Sequence, residues 1–132
     1  MLKSIYLNLP VESVSASVAF FTQLGFGFDA KFTGEDSACL ILGENLRAML
    51  VSRDKFSAFI DKPIAPRETT EAILSFECQS ADQVREISSK AIELGARKVN
   101  ELEDHGFMVS WGFEDLDGHL WDLFWFNPDH KR

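Results

Sequence analysis

Two stretches of this chain carry the same order of signals, and a fold has to accommodate both. In the first, Ile5–Leu9 alternates like a strand and Pro10 suits its end, where a missing ladder donor costs little. Ser13 can cap a helix running to about Leu24, with Val14, Val18, Phe21 and Leu24 as its apolar stripe and Gly25 as its stop. Three short strands follow at Phe28–Phe32, Ala38–Leu42 and Leu46–Val51, the last two joined by the turn residues Gly43-Glu44-Asn45. The second stretch repeats the pattern. Ala72–Cys78 reads as a strand, Ser80 and Gln83 form a capping box, and Val84, Ile87, Ala91 and Leu94 stripe a helix that Gly95 ends. Arg97–Asn100, Phe107–Phe113 and His119–Phe126 complete three more strands, with Asp117-Gly118 at a hairpin turn.

Both halves therefore read β-α-β-β-β, which predicts an α+β fold of two modules forming a cup-shaped mixed sheet. The expected organisation is a single domain over residues 1–132, with module 1 at about 1–51, a linker at about 52–71 and module 2 at about 72–126. The linker holds Lys55-Phe56 and Phe59, then Pro63 and Pro66, and reads as a helical turn followed by irregular chain. Aligning the caps Ser13 and Ser80 sets Tyr6 on Ile73 and Asn8 on Ser75. Aligning the turns sets Met49 on Asp122. By alternation Ile5, Leu7 and Leu9, and likewise Ala72, Leu74, Phe76 and Cys78, face the helices. Tyr6, Asn8, Ile73, Ser75 and Glu77 face the hollow of the sheet, where a ligand could sit.

Composition removes several functions. With 132 residues of which 45% are apolar, the chain can bury a core unaided. Its formal charge of −8 argues against binding nucleic-acid phosphates or anionic membrane. No apolar run is long enough to span a bilayer, and Met1-Leu2-Lys3-Ser4 leads straight into strand-like sequence without a signal-peptide core, so a cytoplasmic protein is expected. Cys39 and Cys78 form no C-x-x-C pair and read as buried, inert thiols. Eight acids and no Lys or Arg lie between Val99 and His130, so the whole net charge sits there: a solvated rim, or a site that attracts cations.

The doubled pattern, the run Phe20-Phe21-Thr22-Gln23-Leu24-Gly25-Phe26 after the first helix, and Asp115-Leu116-Asp117-Gly118-His119 before the last strand together resemble the vicinal oxygen chelate superfamily. That superfamily comprises glyoxalase I, the bleomycin- and fosfomycin-resistance proteins and the extradiol dioxygenases. The resemblance implies one metal ligand from the first strand and one from the last strand of each half, at about Tyr6, Met49, Ile73 and Asp122. Only Asp122 is a credible ligand for a hard cation, so a divalent metal is disfavoured and no cofactor is expected. The resemblance also implies a homodimer, here using the aromatic-rich second half or the linker.

Other residues can still build a site. His105, between Asp104 and Gly106, is a candidate general base or a rim histidine. Arg47 shares a strand face with Met49 and suits a carboxylate or phosphate on a ligand, or else solvent. Glu77 lies at the edge of the hollow, paired or exposed. Phe124 shares Asp122's face and can stack on a flat ligand, whereas His119 points away from Asp122 and packs at the turn. Two functions compete: binding of a small, partly apolar ligand in the hollow, or lactoylglutathione-lyase-like lyase or isomerase chemistry on a thiol conjugate, with Asp122 and His105 as the catalytic pair.

Overall fold

A computed structural model of the chain describes residues 1–129. They fall into two compact units, Met1–Pro66 and a second beginning at Arg67, built to one plan. The first comprises β1 (Ile5–Val11), α1 (Val14–Gln23), β2 (Gly27–Asp29), β3 (Ser37–Gly43), β4 (Leu46–Ser52) and a short helix, α2 (Arg53–Ala58). The second comprises β5 (Ile73–Glu77), α3 (Ala81–Glu93), β6 (Glu103–Asp104), β7 (Met108–Glu114) and β8 (Leu120–Phe126). Each unit holds a four-stranded mixed sheet, in the orders β1-β4-β3-β2 and β5-β8-β7-β6. The first and last strands of each unit run parallel, and the hairpins that lead into the last strand are antiparallel. This is the α+β architecture that the repeat predicts.

Local chemistry starts and stops the helices at equivalent places. The Ser13 hydroxyl accepts from Ala16 N at 3.1 Å, and the Ser80 hydroxyl accepts from Gln83 N at 3.1 Å. The Gln83 side chain reaches back to Gln79 N at 2.7 Å, one residue ahead of the position the capping box predicts. Gly25 and Gly95 follow the two helices at φ 100° and 112°, a conformation that costs glycine nothing. The buried stripes differ in detail from the apolar pattern: α1 buries Val14, Ser17, Phe20 and Phe21, and α3 buries Val84, Ser88 and Ala91. Ser88 is admitted because its hydroxyl donates to Trp111 O at 3.0 Å.

Two expected strands are corrected. Phe28–Phe32 is a strand only as far as Asp29, because the Asp29 carboxylate captures Lys31 N at 3.0 Å and turns the chain into a single 3₁₀ turn, Ala30–Phe32. Arg97–Asn100 is not a strand either. Arg97 makes one bridge to Glu114, Asn100 O is taken by the Trp111 indole N–H at 3.0 Å, and β6 provides the strand beside β7.

In the second unit α3 covers one face of the sheet, where Leu74, Val109, Phe113, Trp121 and Leu123 are buried. Trp121 stacks between Phe113 (centroids 6.3 Å apart) and Phe76 (5.4 Å), so much of the aromatic supply of this half is core. The opposite face has no helix of this unit on it, and it carries the candidate site.

Candidate functional site

Alternation along β5, β7 and β8 sends every second side chain to that uncovered face. The ladder register sets Ile73 beside Leu120, and it sets Ser75 and Gly112 on either side of Asp122. A cavity of about 350 Å³ opens here, lined by Ile73, Leu120, Asp122, Gly112, Glu114 and Arg97 among others. Its walls are mixed. Ile73 is 60% exposed, an unusual state for a large β-branched side chain, while Arg97 is paired with Glu114 through Nε at 2.9 Å and through Nη2.

Asp122 interrupts the otherwise apolar run of β8 and is half-buried in this face. Burial pushes its carboxyl above the usual range, a hydrogen bond from the Ser75 side chain opposes the rise, and the like charge of Glu103 adds to it. No described cation of its own module forms an ion pair with it. The glycine opposite is dictated by backbone: a Cβ at Gly112 would lie 2.5 Å from Trp121 O and 3.5 Å from Asp122 Cα. Asp122 therefore has a hydroxyl on one side, no side chain on the other, and Leu120 and Phe124 before and after it on the same face.

A buried polar network holds the turn that launches β8. The Asp115 carboxylate accepts from Asp117 N at 2.9 Å, His119 N at 3.0 Å and the Trp121 indole at 2.9 Å. Desolvation raises its pKa, and His119 and these three donors hold the rise back. His119 Nδ1 lies 2.7 Å from Glu71 Oε1, and Arg67 Nη1 donates to Leu116 O at 2.6 Å. The segment 67–71, read from sequence as linker, is thus fastened to the β7–β8 turn, and His119 packs there as expected.

The remaining sequence candidates scatter. His105 is exposed, its Nε2 2.9 Å from Glu103 Oε2 in a surface pair, and it does not line the cavity. Phe124 keeps Asp122's face but sits edge-to-face on Phe126, with centroids 5.3 Å apart. Glu77 is exposed beside it. In module 1, Tyr6 pairs in register with Arg47 and Asn8 with Met49, so these four share one face of their own sheet as alternation predicts. Tyr6 and Asn8 are exposed, and the Arg47 guanidinium bonds Gly43 O and Leu46 O (3.1 Å) in its own hairpin. Sequence reasoning missed Arg97, Glu114, Glu103 and Gly112. Only Gly112 left a sequence signal, as a glycine inside an aromatic strand.

The donor set does not fit a divalent metal. Of the positions the superfamily resemblance implies, Ile73 has no donor atom, Met49 offers a thioether, Tyr6 a phenol, and only Asp122 a carboxylate. Among the described residues no group of three His, Cys, Asp or Glu side chains could hold a metal ion.

A repeated β-α-β-β-β unit with its first and last strands parallel, and a cavity on the sheet face away from the helix, defines a class of small paired-module proteins. The chain belongs to the Glyoxalase/Bleomycin resistance protein/Dioxygenase superfamily, whose sequence model matches residues 3–123. Solved structures agree on the fold. A hypothetical protein from S. aureus superposes with TM-score 0.79 at 22% identity, covering 94% of each chain. A glyoxalase/bleomycin resistance protein/dioxygenase family enzyme from Burkholderia phytofirmans gives 0.75 at 14%, covering 92% of this chain and 97% of its own. A bleomycin resistance determinant encoded on the transposon Tn5 gives 0.66 at 17%, covering 96% and 99%. Among curated protein sequences none matches this chain. No helix among the described residues is long and apolar enough to cross a membrane.

Proposed function

We propose that this protein binds a small, partly apolar organic ligand on the uncovered face of its second module, without a metal ion. The observation that carries this reading is the cavity itself: about 350 Å³, walled by exposed hydrocarbon from Ile73 and by Leu120, with two half-buried carboxylates, Glu114 paired with Arg97 and Asp122 without a cation of its module. This is a small cavity by the measure of ligand pockets, matched to a single ring or a short chain. The poor metal donor set argues for recognition by shape and hydrogen bonding. A ligand screen read by amide NMR tests the proposal. Ligands should shift the Ser75, Gly112 and Asp122 signals equally with and without a chelator, and binders that shift only other surfaces would refute it.

Lyase or isomerase chemistry on a thiol conjugate is the second reading. What favours it is Asp122, a carboxyl raised by burial inside a cavity, as a proton-transfer group would be. His105 does not join it there. Turnover of the methylglyoxal–glutathione hemithioacetal that is lost in Asp122→Asn would favour this reading over binding alone. Cytoplasmic location and a homodimer complete the proposal, the latter supported by the exposed apolar side chains Phe59, Ile60 and Phe126.

A further inference from the structure

We infer that the ligand of this cavity carries a protonated amine, seated against Asp122 between Ser75 and Gly112, with its apolar body on Ile73 and Leu120; this rests on the second-module reading above. The argument is one of charge balance inside a defined space. Arg97, a cationic wall of the cavity, is matched by the Glu114 carboxylate that it already holds. Asp122 is left with a hydroxyl partner, no cation of its own module, and Glu103 near enough for like-charge repulsion. Any ligand that covers this face takes further water from Asp122. A carboxylate or phosphate would add another negative charge, and an uncharged body would leave the carboxylate desolvated and unpaired, which is costly. An ammonium group restores the missing charge and donates three hydrogen bonds.

The shape agrees. The two ladder neighbours of Asp122 are small, glycine on β7 and serine on β5, so neither sends a bulky side chain over the carboxylate. At Gly112 the Trp121 carbonyl already fills the place of a Cβ, so a ligand reaches the carboxylate from the cavity rather than through that place. Leu120 and Phe124 flank Asp122 along β8 and offer hydrocarbon to whatever carries the amine.

Benzylamine and benzyl alcohol, nearly equal in shape and different in charge, test the inference by amide NMR titration of the full chain at neutral pH. Benzylamine should shift the Ser75, Gly112 and Asp122 signals and bind about tenfold or more tightly than benzyl alcohol. Asp122→Asn, checked for an unchanged fold by its spectrum, should remove that preference while leaving the alcohol's binding as it was. Equal binding of the two probes at these signals would overturn the amine inference and leave the cavity reading standing. So would benzylamine binding undiminished in Asp122→Asn. Shifts from neither probe would overturn both. A divalent cation that displaces benzylamine with stoichiometric affinity would assign the carboxylate to a metal instead.

Discussion

Gly112→Ala probes how tightly backbone approach and site are joined. The added Cβ would sit 2.5 Å from the carbonyl oxygen of Trp121, against an ordinary contact of about 3.4 Å or more, an overlap close to 1 Å with an atom that cannot swing aside. Trp121 and Asp122 are in one of the two inner strands of their sheet, so relief requires β7 and β8 to separate or β7 to twist. Overpacking of this kind costs about 1–3 kcal/mol, and a backbone obstacle puts this case at the upper end. At roughly 3–6 °C per kcal/mol for a chain of this size, Tm should fall by on the order of 5–15 °C in a calorimetric or circular-dichroism melt. The control is Gly27→Ala: that glycine has no positive φ, and its Cβ would meet nothing within 4 Å, so Tm should hold or rise slightly. The displaced strand carries Asp122, so benzylamine binding should fall even at temperatures where the variant is fully folded. A Gly112→Ala protein that melts within 1 °C of the parent, with unmoved Asp122 signals, would refute the reasoning.

Ser80→Ala removes the acceptor for Gln83 N and should cost about 1 kcal/mol in urea unfolding; an unchanged midpoint would show that the cap is dispensable. Purified, dialysed protein should contain well under one equivalent of nickel, zinc, manganese or iron by elemental analysis, and stoichiometric metal would contradict the donor-set argument. Light scattering at micromolar concentration should give the mass of a dimer, and a monomer mass would count against the homodimer. Asp122 has a carboxyl pKa raised on folding, so its ionised form opposes folding: the stability it permits is full below the unfolded pKa and lost as pH rises through the folded one. Asp122→Asn should therefore melt at a higher temperature than the parent at neutral pH, with the gain shrinking in acid; a gain that grows in acid would reverse the assignment.

Features governed by neighbours in sequence were legible before any coordinates. The caps at Ser13 and Ser80 need only three residues of context, and the glycine stops need one. The alternation that set Tyr6 with Asn8, and Ile73 with Ser75, is equally local. Reading failed where a side chain competed with the ladder. Asp29 and Trp111 each took a backbone group that a strand would have used, and neither capture is visible in hydrophobic periodicity. The site followed the same division. Asp122 stood out as a charge in an apolar strand, whereas Arg97, Glu114 and Glu103 join it only through the antiparallel pairing of β7, which brings together residues distant along the chain.

The internal repeat gives this difference its meaning. In both modules the last strand pairs in parallel with the first, so Met49 beside Asn8 occupies the place that Asp122 holds beside Ser75. One copy of the slot carries an acidic oxygen and the other a thioether, while both copies have the cap serine and the stop glycine. The two copies therefore agree in what folds the module and differ in what a ligand would touch. A partly buried carboxylate that raises its own pKa and lacks a cation in its module is a local cost to folding. Its position, on the face that no helix of the unit covers and at the wall of the cavity, is where a ligand, rather than packing, would offset such a cost.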